Sequence, residues 1–154
     1  MRVFTLSVKN NFDSSHHIPR HPGKCANTHG HTWTVTLDIL IQAGSMDAFP
    51  GILIDFSDAK KFLKDICEEY DHKNLNLFFA YPSAENISSI IATKAARYFS
   101  HPDLTGIRCH VQEGTGGICT CTLLFDKDEK CPLPAGKEKK SKSSKSTSKK
   151  SSRS

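Results

Sequence analysis

The stretch HGHTWTVTLDILI, residues 29–41, decides how the rest of the chain is interpreted. From Trp33 onward every second residue is large and apolar, and two of the four residues between them are threonine. An alternation of period two predicts a β-strand with one buried face and one face in water. His29 and His31 have the parity of the apolar residues, so two imidazoles are expected on the buried side at the start of this strand.

The neighbouring segments extend this pattern to an α+β fold. Residues 3–16 alternate in the same way, and His16 shares the parity of the apolar residues there. Helical spacing of apolar residues predicts a first helix, with Ser57 as its N-cap, that runs to Tyr70. A second helix is predicted to start near Pro82-Ser83, with a buried stripe formed by Ile87, Ile90, Ile91, Ala95 and Tyr98. Strands at 107–113 and 118–125 complete the order ββααββ, which predicts an antiparallel four-stranded sheet with two helices.

The three histidines on buried parity are the strongest chemical signal. Side chains at i and i+2 of a strand project from one face, so His29 and His31 are able to bind one ion, with His16 of the next strand as a third ligand. Three neutral imidazoles suit Zn²⁺, and an open fourth position is typical of a catalytic site. Two alternatives stay open: hydrogen-bonded histidines without a metal, or a closed structural site with Cys25 as the fourth ligand.

Two further places in the sequence are candidates for proton transfer or ligand binding. Asp71 and His72 are adjacent after the first helix, where the carboxylate is able to orient the imidazole; a solvated pair at a helix end is the simpler alternative. Glu113 lies on the apolar parity of a strand, next to a glycine-rich turn. A carboxylate there needs a partner, for which a nitrogen of a bound ligand is suitable, unless the side chain simply lies in water.

Charge and composition divide the chain into a folded body, residues 1–136, and a tail, residues 137–154. The tail contains eight Lys or Arg, one Glu and no apolar residue, so it carries +7 while the body carries −2. Such a segment is expected to be disordered, with at most a weak anionic partner. No secretory signal or apolar run of membrane-spanning length is present, and a cytoplasmic location, where the six cysteines stay reduced, is expected.

Six short motifs, in order along residues 4–125, resemble those of the 6-pyruvoyltetrahydropterin synthase / 6-carboxytetrahydropterin synthase family. Residues 12–16 (FDSSH) are similar to its F-x-A-A-H segment, and residues 25–31 (CANTHGH) to its C-x-x-x-H-G-H motif. The others are Ile54-Asp55-Phe56, Asp71-His72 through Leu75-Asn76, Pro82-Ser83-Ala84-Glu85 and Val111-Gln112-Glu113. The chain departs from the family at Ser14-Ser15, where alanines are usual, at His17, where Arg is frequent, and in its tail.

The resemblance implies a T-fold and a zinc-dependent lyase. It implies zinc on His16, His29 and His31, and Cys25 as the group that removes a proton from carbon. Asp71 and His72 would form an acid/base dyad, and Glu113 would bind the guanidine-like edge of a pterin. The implied substrate is 7,8-dihydroneopterin triphosphate, and the implied assembly is a homo-oligomer, a trimer or hexamer, whose sheets join into a barrel with active sites at subunit interfaces.

The spacing of the cysteine motif bears on the product that the resemblance implies. Three residues separate Cys25 from His29, which resembles the carboxy-forming branch of the queuosine (deazapurine) pathway; the pyruvoyl-forming branch of tetrahydrobiopterin synthesis typically has a longer gap. The first hypothesis is therefore 6-carboxytetrahydropterin synthase activity, which releases triphosphate and acetaldehyde. Pyruvoyl formation and a related dihydropterin aldolase are alternatives within the enzyme class. A zinc-stabilised binding module whose tail contacts RNA is the alternative from a different class.

Overall fold

Two long antiparallel strands form the centre of the molecule. The computed structural model describes residues 2–43 and 52–125. In it, β1 (Arg2–His16) pairs with β2 (His29–Ala43) along its whole length, so that His16 lies opposite His29 and Phe12 opposite Trp33. The alternating pattern that predicted both strands is therefore confirmed, and it fixes which face of the sheet each side chain occupies.

The remaining elements follow the predicted order with one addition. They are α1 (Phe56–Tyr70), β3 (Lys73–Asn74), α2 (Ala84–Tyr98), β4 (Leu104–Glu113) and β5 (Ile118–Leu124). The prediction of four strands was wrong, because β3 pairs with β1 in parallel and the sheet order is β3-β1-β2-β4-β5. A two-residue strand carries no periodicity from which it could be predicted. The α+β class and the two helices are confirmed.

The core lies between one face of the sheet and the two helices. Helix α1 packs on β1, and α2 packs on β4 and β5. The apolar side chains of β2 on this face are completely buried: Trp33, Val35, Leu37, Ile39 and Ile41. The opposite face of β2 carries threonines and is not covered by a helix, as the alternation predicts.

Two details of the helices differ from the sequence prediction. Helix α1 begins one residue before Ser57, because Asp55 is the N-cap and its carboxylate accepts the Ser57 N–H at 2.7 Å. In α2, Ser83 is the N-cap, which agrees with the predicted start near Pro82-Ser83, but Ile90 and Tyr98 are exposed rather than part of the buried stripe. Ala92 and Ala96 take their places, since their small side chains let the helix lie close to the sheet.

Two short 3₁₀ turns complete the described chain. One, Lys24–Ala26, lies in the connection from β1 to β2, and the other, Leu75–Leu77, follows β3. Neither described helix is long and apolar enough to cross a membrane. The predicted boundary at residue 136 and the tail, residues 137–154, lie outside the described residues.

Candidate metal centre and active site

Three histidines and one glutamate meet at the end of the sheet, on the face that the helices cover. Strand pairing puts His16 opposite His29, while His31 follows two residues later on the same face. Glu113, the last residue of β4, pairs with Trp33, which places its side chain diagonally next to His31. One ligand atom from each of the four residues lies within 4.8 Å of the others. The predicted gathering of His16, His29 and His31 is thus present, and Glu113 lies within the same cluster.

The backbone around the cluster sets the tautomers of two imidazoles. His16 Nδ1 is 2.7 Å from the carbonyl oxygen of Pro82, and His29 Nδ1 is 2.7 Å from that of Asn27. Because a carbonyl oxygen only accepts, each Nδ1 carries the proton and each Nε2 is left with a free lone pair. Hydrogen bonds of this kind orient metal-binding histidines in known sites. Sequence reasoning missed both carbonyls, since every residue type supplies one.

The arrangement at His16 Nε2 fits a cation. This nitrogen is buried and has no hydrogen-bond partner among the described residues, although Glu113 Oε1 lies 2.8 Å away. The same oxygen lies 3.1 Å from His31 Nε2. Burial, the largest influence, lowers the pKa of His16, although the Pro82 carbonyl and Glu113 act in the opposite direction. A buried nitrogen lone pair that faces a carboxylate is suited to a cation, and the three imidazole nitrogens of the cluster are ligands that a divalent ion such as Zn²⁺ prefers.

The cluster is open on one side. His16 is almost completely buried against the ring of Trp33, whereas the side chains of His31 and Glu113 are 28% and 34% exposed. Glu113 is followed by Gly114, whose φ of 56° is available to glycine at little cost and turns the chain sharply at the rim. The four residues thus combine one deep side chain with three accessible ones, which leaves room for a small molecule beside the cluster.

Cys25 lies in the 3₁₀ turn between β1 and β2 and is not one of the four clustered residues. Its thiol is free and partly exposed. In contrast, burial raises the pKa of Cys67 to about 12, which keeps that thiol protonated and unreactive. Within the described residues, a closed structural site with Cys25 as the fourth ligand is not the arrangement observed.

Asp71 and His72 form a hydrogen-bonded pair at the edge of the sheet. His72 Nδ1 donates to Asp71 Oδ2 at 2.7 Å, and Asp71 Oδ1 accepts the Asp13 N–H at 2.9 Å. The Asp13 N–H first, and His72 second, lower the pKa of Asp71, so the carboxylate stays ionised. His72 has a φ of 54° and donates its own N–H to the Asp13 carbonyl. The imidazole is held with Nε2 free, but no hydrogen bond or ion pair joins this pair to the histidine cluster in the described chain.

An open groove of about 630 Å³ has both His31 and His72 on its walls. Its lining includes two polar residues of β1, Asp13 and Ser15. The neighbouring Ser14 points to the buried face, where its hydroxyl donates to the carbonyl oxygen of Tyr70 at the end of α1. That hydrogen bond gives the buried hydroxyl a partner at a position where the resembling family usually has alanine.

Comparison with known proteins identifies the family. A sequence model described as 6-pyruvoyl tetrahydropterin synthase matches residues 5–123. The chain belongs to this family of pterin synthases. It is 35% identical over 92 residues to the 6-carboxy-5,6,7,8-tetrahydropterin synthase of Haemophilus influenzae, an alignment that covers 59% of this chain and 62% of that protein. The match to the Synechocystis enzyme of the same name is 32% identical and covers 58% of this chain and 88% of that protein.

A solved relative confirms the fold. The structure of Caenorhabditis elegans 6-pyruvoyl tetrahydropterin synthase superposes with a TM-score of 0.63 at 22% identity, covering 79% of this chain and 96% of that one. The predicted T-fold is therefore confirmed for this pterin synthase family member. The roles of Cys25, Asp71, His72 and Glu113 are not tested by this likeness and stay predictions.

Proposed function

We propose that this protein is a zinc-dependent lyase that converts 7,8-dihydroneopterin triphosphate and one water molecule to 6-carboxy-5,6,7,8-tetrahydropterin, triphosphate and acetaldehyde. The observation that carries the proposal is the unpartnered, buried Nε2 of His16 facing His29, His31 and Glu113 in a cluster open to solvent. Family membership supports the pterin substrate. Zinc bound there would supply Lewis-acid stabilisation of negative charge on the substrate's side-chain oxygens.

The chain's own residues would divide the remaining work. Cys25, as a thiolate, would take a proton from a side-chain carbon of the substrate. His72, oriented through Nδ1 by Asp71, would exchange a second proton at its free Nε2. Glu113 would accept hydrogen bonds from the N–H groups of the pterin ring, which fixes the ring relative to the cluster. Together these steps move hydrogen within the pterin and its side chain before the side chain is cleaved.

The carboxy product is favoured over the pyruvoyl product by the chain's cysteine motif. Only Ala26, Asn27 and Thr28 separate Cys25 from His29. The two sequence relatives described above are named 6-carboxytetrahydropterin synthases. Pyruvoyl formation is the second candidate, because the matching family model and the C. elegans structure carry that name.

A second copy of the chain would complete the site in this proposal. The acid/base pair at the sheet edge has no hydrogen bond to the histidine cluster within one described chain, and both sites face a groove that is open to solvent. The family resemblance implies a trimer or hexamer with active sites at subunit interfaces. An oligomer would bring the pair of one subunit to the cluster of its neighbour.

Product analysis by mass spectrometry tests the function directly. Zinc-loaded protein incubated with 7,8-dihydroneopterin triphosphate should give the carboxy product, and Cys25→Ala should lower turnover by about 10²–10⁴-fold while zinc stays bound. Cys119→Ala, which removes another partly exposed thiol, should leave turnover unchanged. Detection of a pyruvoyl product would instead assign the pyruvoyl-forming activity, and side-chain cleavage alone would assign the aldolase activity. Full activity of Cys25→Ala would remove this residue from the mechanism.

The tail, residues 137–154, is proposed to have no part in the active site. Charge without apolar residues acts over a distance that salt limits to about 8 Å. Its removal should leave zinc content, assembly and turnover at saturating substrate unchanged, and should raise KM for the anionic triphosphate only at low salt. Loss of turnover at every salt concentration would show that the domain boundary at residue 136 is wrong.

If the full chain lacked turnover but bound RNA through its tail, the binding-module alternative would replace the lyase.

A further inference from the structure

The side-chain amide of Asn76 makes two hydrogen bonds to the main chain of a single residue 59 positions away. Its Oδ1 accepts the N–H of His17 at 2.9 Å, and its Nδ2 donates to the carbonyl oxygen of His17 at 2.9 Å. Both bonds are partly buried. The N–H of Asn76 itself is held by the side chain of Asn74 at 3.0 Å. Asn76 is therefore a fixed group whose amide oxygen and amide nitrogen both bind His17.

This pair of bonds continues the sheet beyond the end of a strand. Strand β1 ends at His16, and β3 pairs with Ser14 and Ser15 along the same edge. A side-chain amide that accepts the N–H and donates to the C=O of one residue replaces what a neighbouring strand provides. The peptide units on either side of His17 are thus held in place by Asn76, and the second of them is also held by the Ile18 N–H, which donates to the Cys25 carbonyl at 2.7 Å.

The residue immediately before this clamp is the deepest member of the histidine cluster. His16 is 2% exposed. Its ring nitrogen Nδ1 is bound by the carbonyl oxygen of Pro82, six residues after Asn76. The ring can keep Nε2 directed at His29 and His31 only if the backbone that carries it does not shift. Pro82 fixes the ring, while Asn76 fixes the main chain that follows.

We propose that Asn76 is a positioning residue for the metal centre: by clamping the His17 main chain it sets the direction of the His16 ligand. This inference rests on the proposed metal site, and it gives a role to a motif residue that neither the resemblance nor the proposed mechanism uses. The competing explanation is that Asn76 only stabilises the turn after β3. If Asn76 is a positioning residue, its variants lose metal affinity even when they are as stable as the control variant. If it only stabilises the turn, they lose stability and keep metal affinity.

The first measurement is zinc affinity of the full chain by competition with a chelator. Loss of a residue that orients a metal ligand typically weakens metal binding by about 10–100-fold, and Asn76→Ala is expected in that range. Asn76→Asp, which keeps the acceptor but loses the donor, should be intermediate. The matched control is Thr105→Val, which removes another partly buried side-chain bond, to the Leu40 carbonyl at 3.2 Å, far along the strands from the cluster. It should lower thermal stability without changing zinc affinity.

The second measurement needs no metal. In the metal-free protein, the His17 amide should exchange its hydrogen at least 10-fold faster in Asn76→Ala than in the wild type, if Asn76 is its protecting partner. Asn76→Asp keeps the oxygen that accepts this N–H, so its His17 amide should stay protected. Should Asn76→Ala fail to fold, Asn76→Asp still provides the zinc-affinity measurement, because it loses the donor to the His17 carbonyl. Unchanged zinc affinity in a folded variant, with wild-type zinc binding intact, would overturn this inference alone. Failure of the wild type to bind zinc would overturn the proposed function and this inference together.

Discussion

Each face of the sheet brings histidine and carboxylate side chains together, but the two clusters differ in whether their polar atoms are all hydrogen-bonded. On the helix-covered face, Glu113 lies 2.8 Å from His16 Nε2 and 3.1 Å from His31 Nε2. On the open face, Asp38 Oδ2 lies 3.0 Å from His110 Nε2. By distance alone the two places look alike.

The two clusters differ in which of their atoms have a hydrogen-bond donor as a partner. On the open face, Asp38 accepts from the Ser7 hydroxyl at 2.6 Å and from His110, and the other nitrogen of His110 meets the Thr120 hydroxyl at 2.8 Å. Each buried acceptor there has a donor, so the cluster is complete without a ligand. On the covered face, His16 Nε2 faces an acceptor and has no donor. The comparison teaches that the count of donors and acceptors, rather than proximity, distinguishes a candidate metal site from a completed hydrogen-bond network.

The largest expected difference between the two faces is in zinc binding when a histidine of each face is replaced. His29→Ala should weaken zinc binding by more than about 100-fold, since even the loss of an orienting partner costs 10–100-fold. His110→Ala, on the open face, should keep zinc at about one equivalent. Both follow from elemental analysis after dialysis at a fixed free-zinc concentration. Equal zinc retention in the two variants would show that the cluster is not the metal site.

A smaller effect is expected at the two carboxylates. Glu113→Gln places an amide where a pterin's N–H groups need an acceptor, and should raise KM by about 10–100-fold, with zinc retained on three histidines. Asp38→Asn should leave KM unchanged. Steady-state kinetics with a parallel zinc assay make the distinction. Zinc loss in Glu113→Gln would reassign this residue from substrate binding to metal binding.

The smallest effect concerns the open face alone. Ser7→Ala removes one donor to Asp38 and should lower the free energy of unfolding by about 1 kcal/mol. Urea unfolding of the metal-free protein measures this change. Zinc affinity and turnover should match the wild type. A change in zinc affinity would mean that the two faces are coupled, which the structure gives no reason to expect.

The histidine cluster was predictable because it follows from strand parity. Alternation over residues 29–41 placed His29 and His31 on the buried side, and the same rule placed His16 and Glu113. The element order and fold class followed from the same periodicities. These features are local, so that short windows of sequence contain them.

What the sequence did not reveal depends on contacts between distant segments. Strand β3 is two residues long, and its pairing with β1 joins positions almost 60 residues apart. The clamp by Asn76 and the carbonyl of Pro82 are of the same kind, since nothing in their own neighbourhoods indicates a partner near His16. The N-cap at Asp55 was missed because Ser57, two positions later, is an equally suitable capping residue by type.

The chain contains a single tryptophan, and its position gives the cluster a built-in optical reporter. Trp33 is completely buried, with its ring centre 4.8 Å from that of His16 and 5.8 Å from that of His31. An excited indole at this distance is sensitive to the charge of the imidazoles beside it. If an ion binds at these two rings, the fluorescence of the unmodified protein should change, and no added label is needed to follow it.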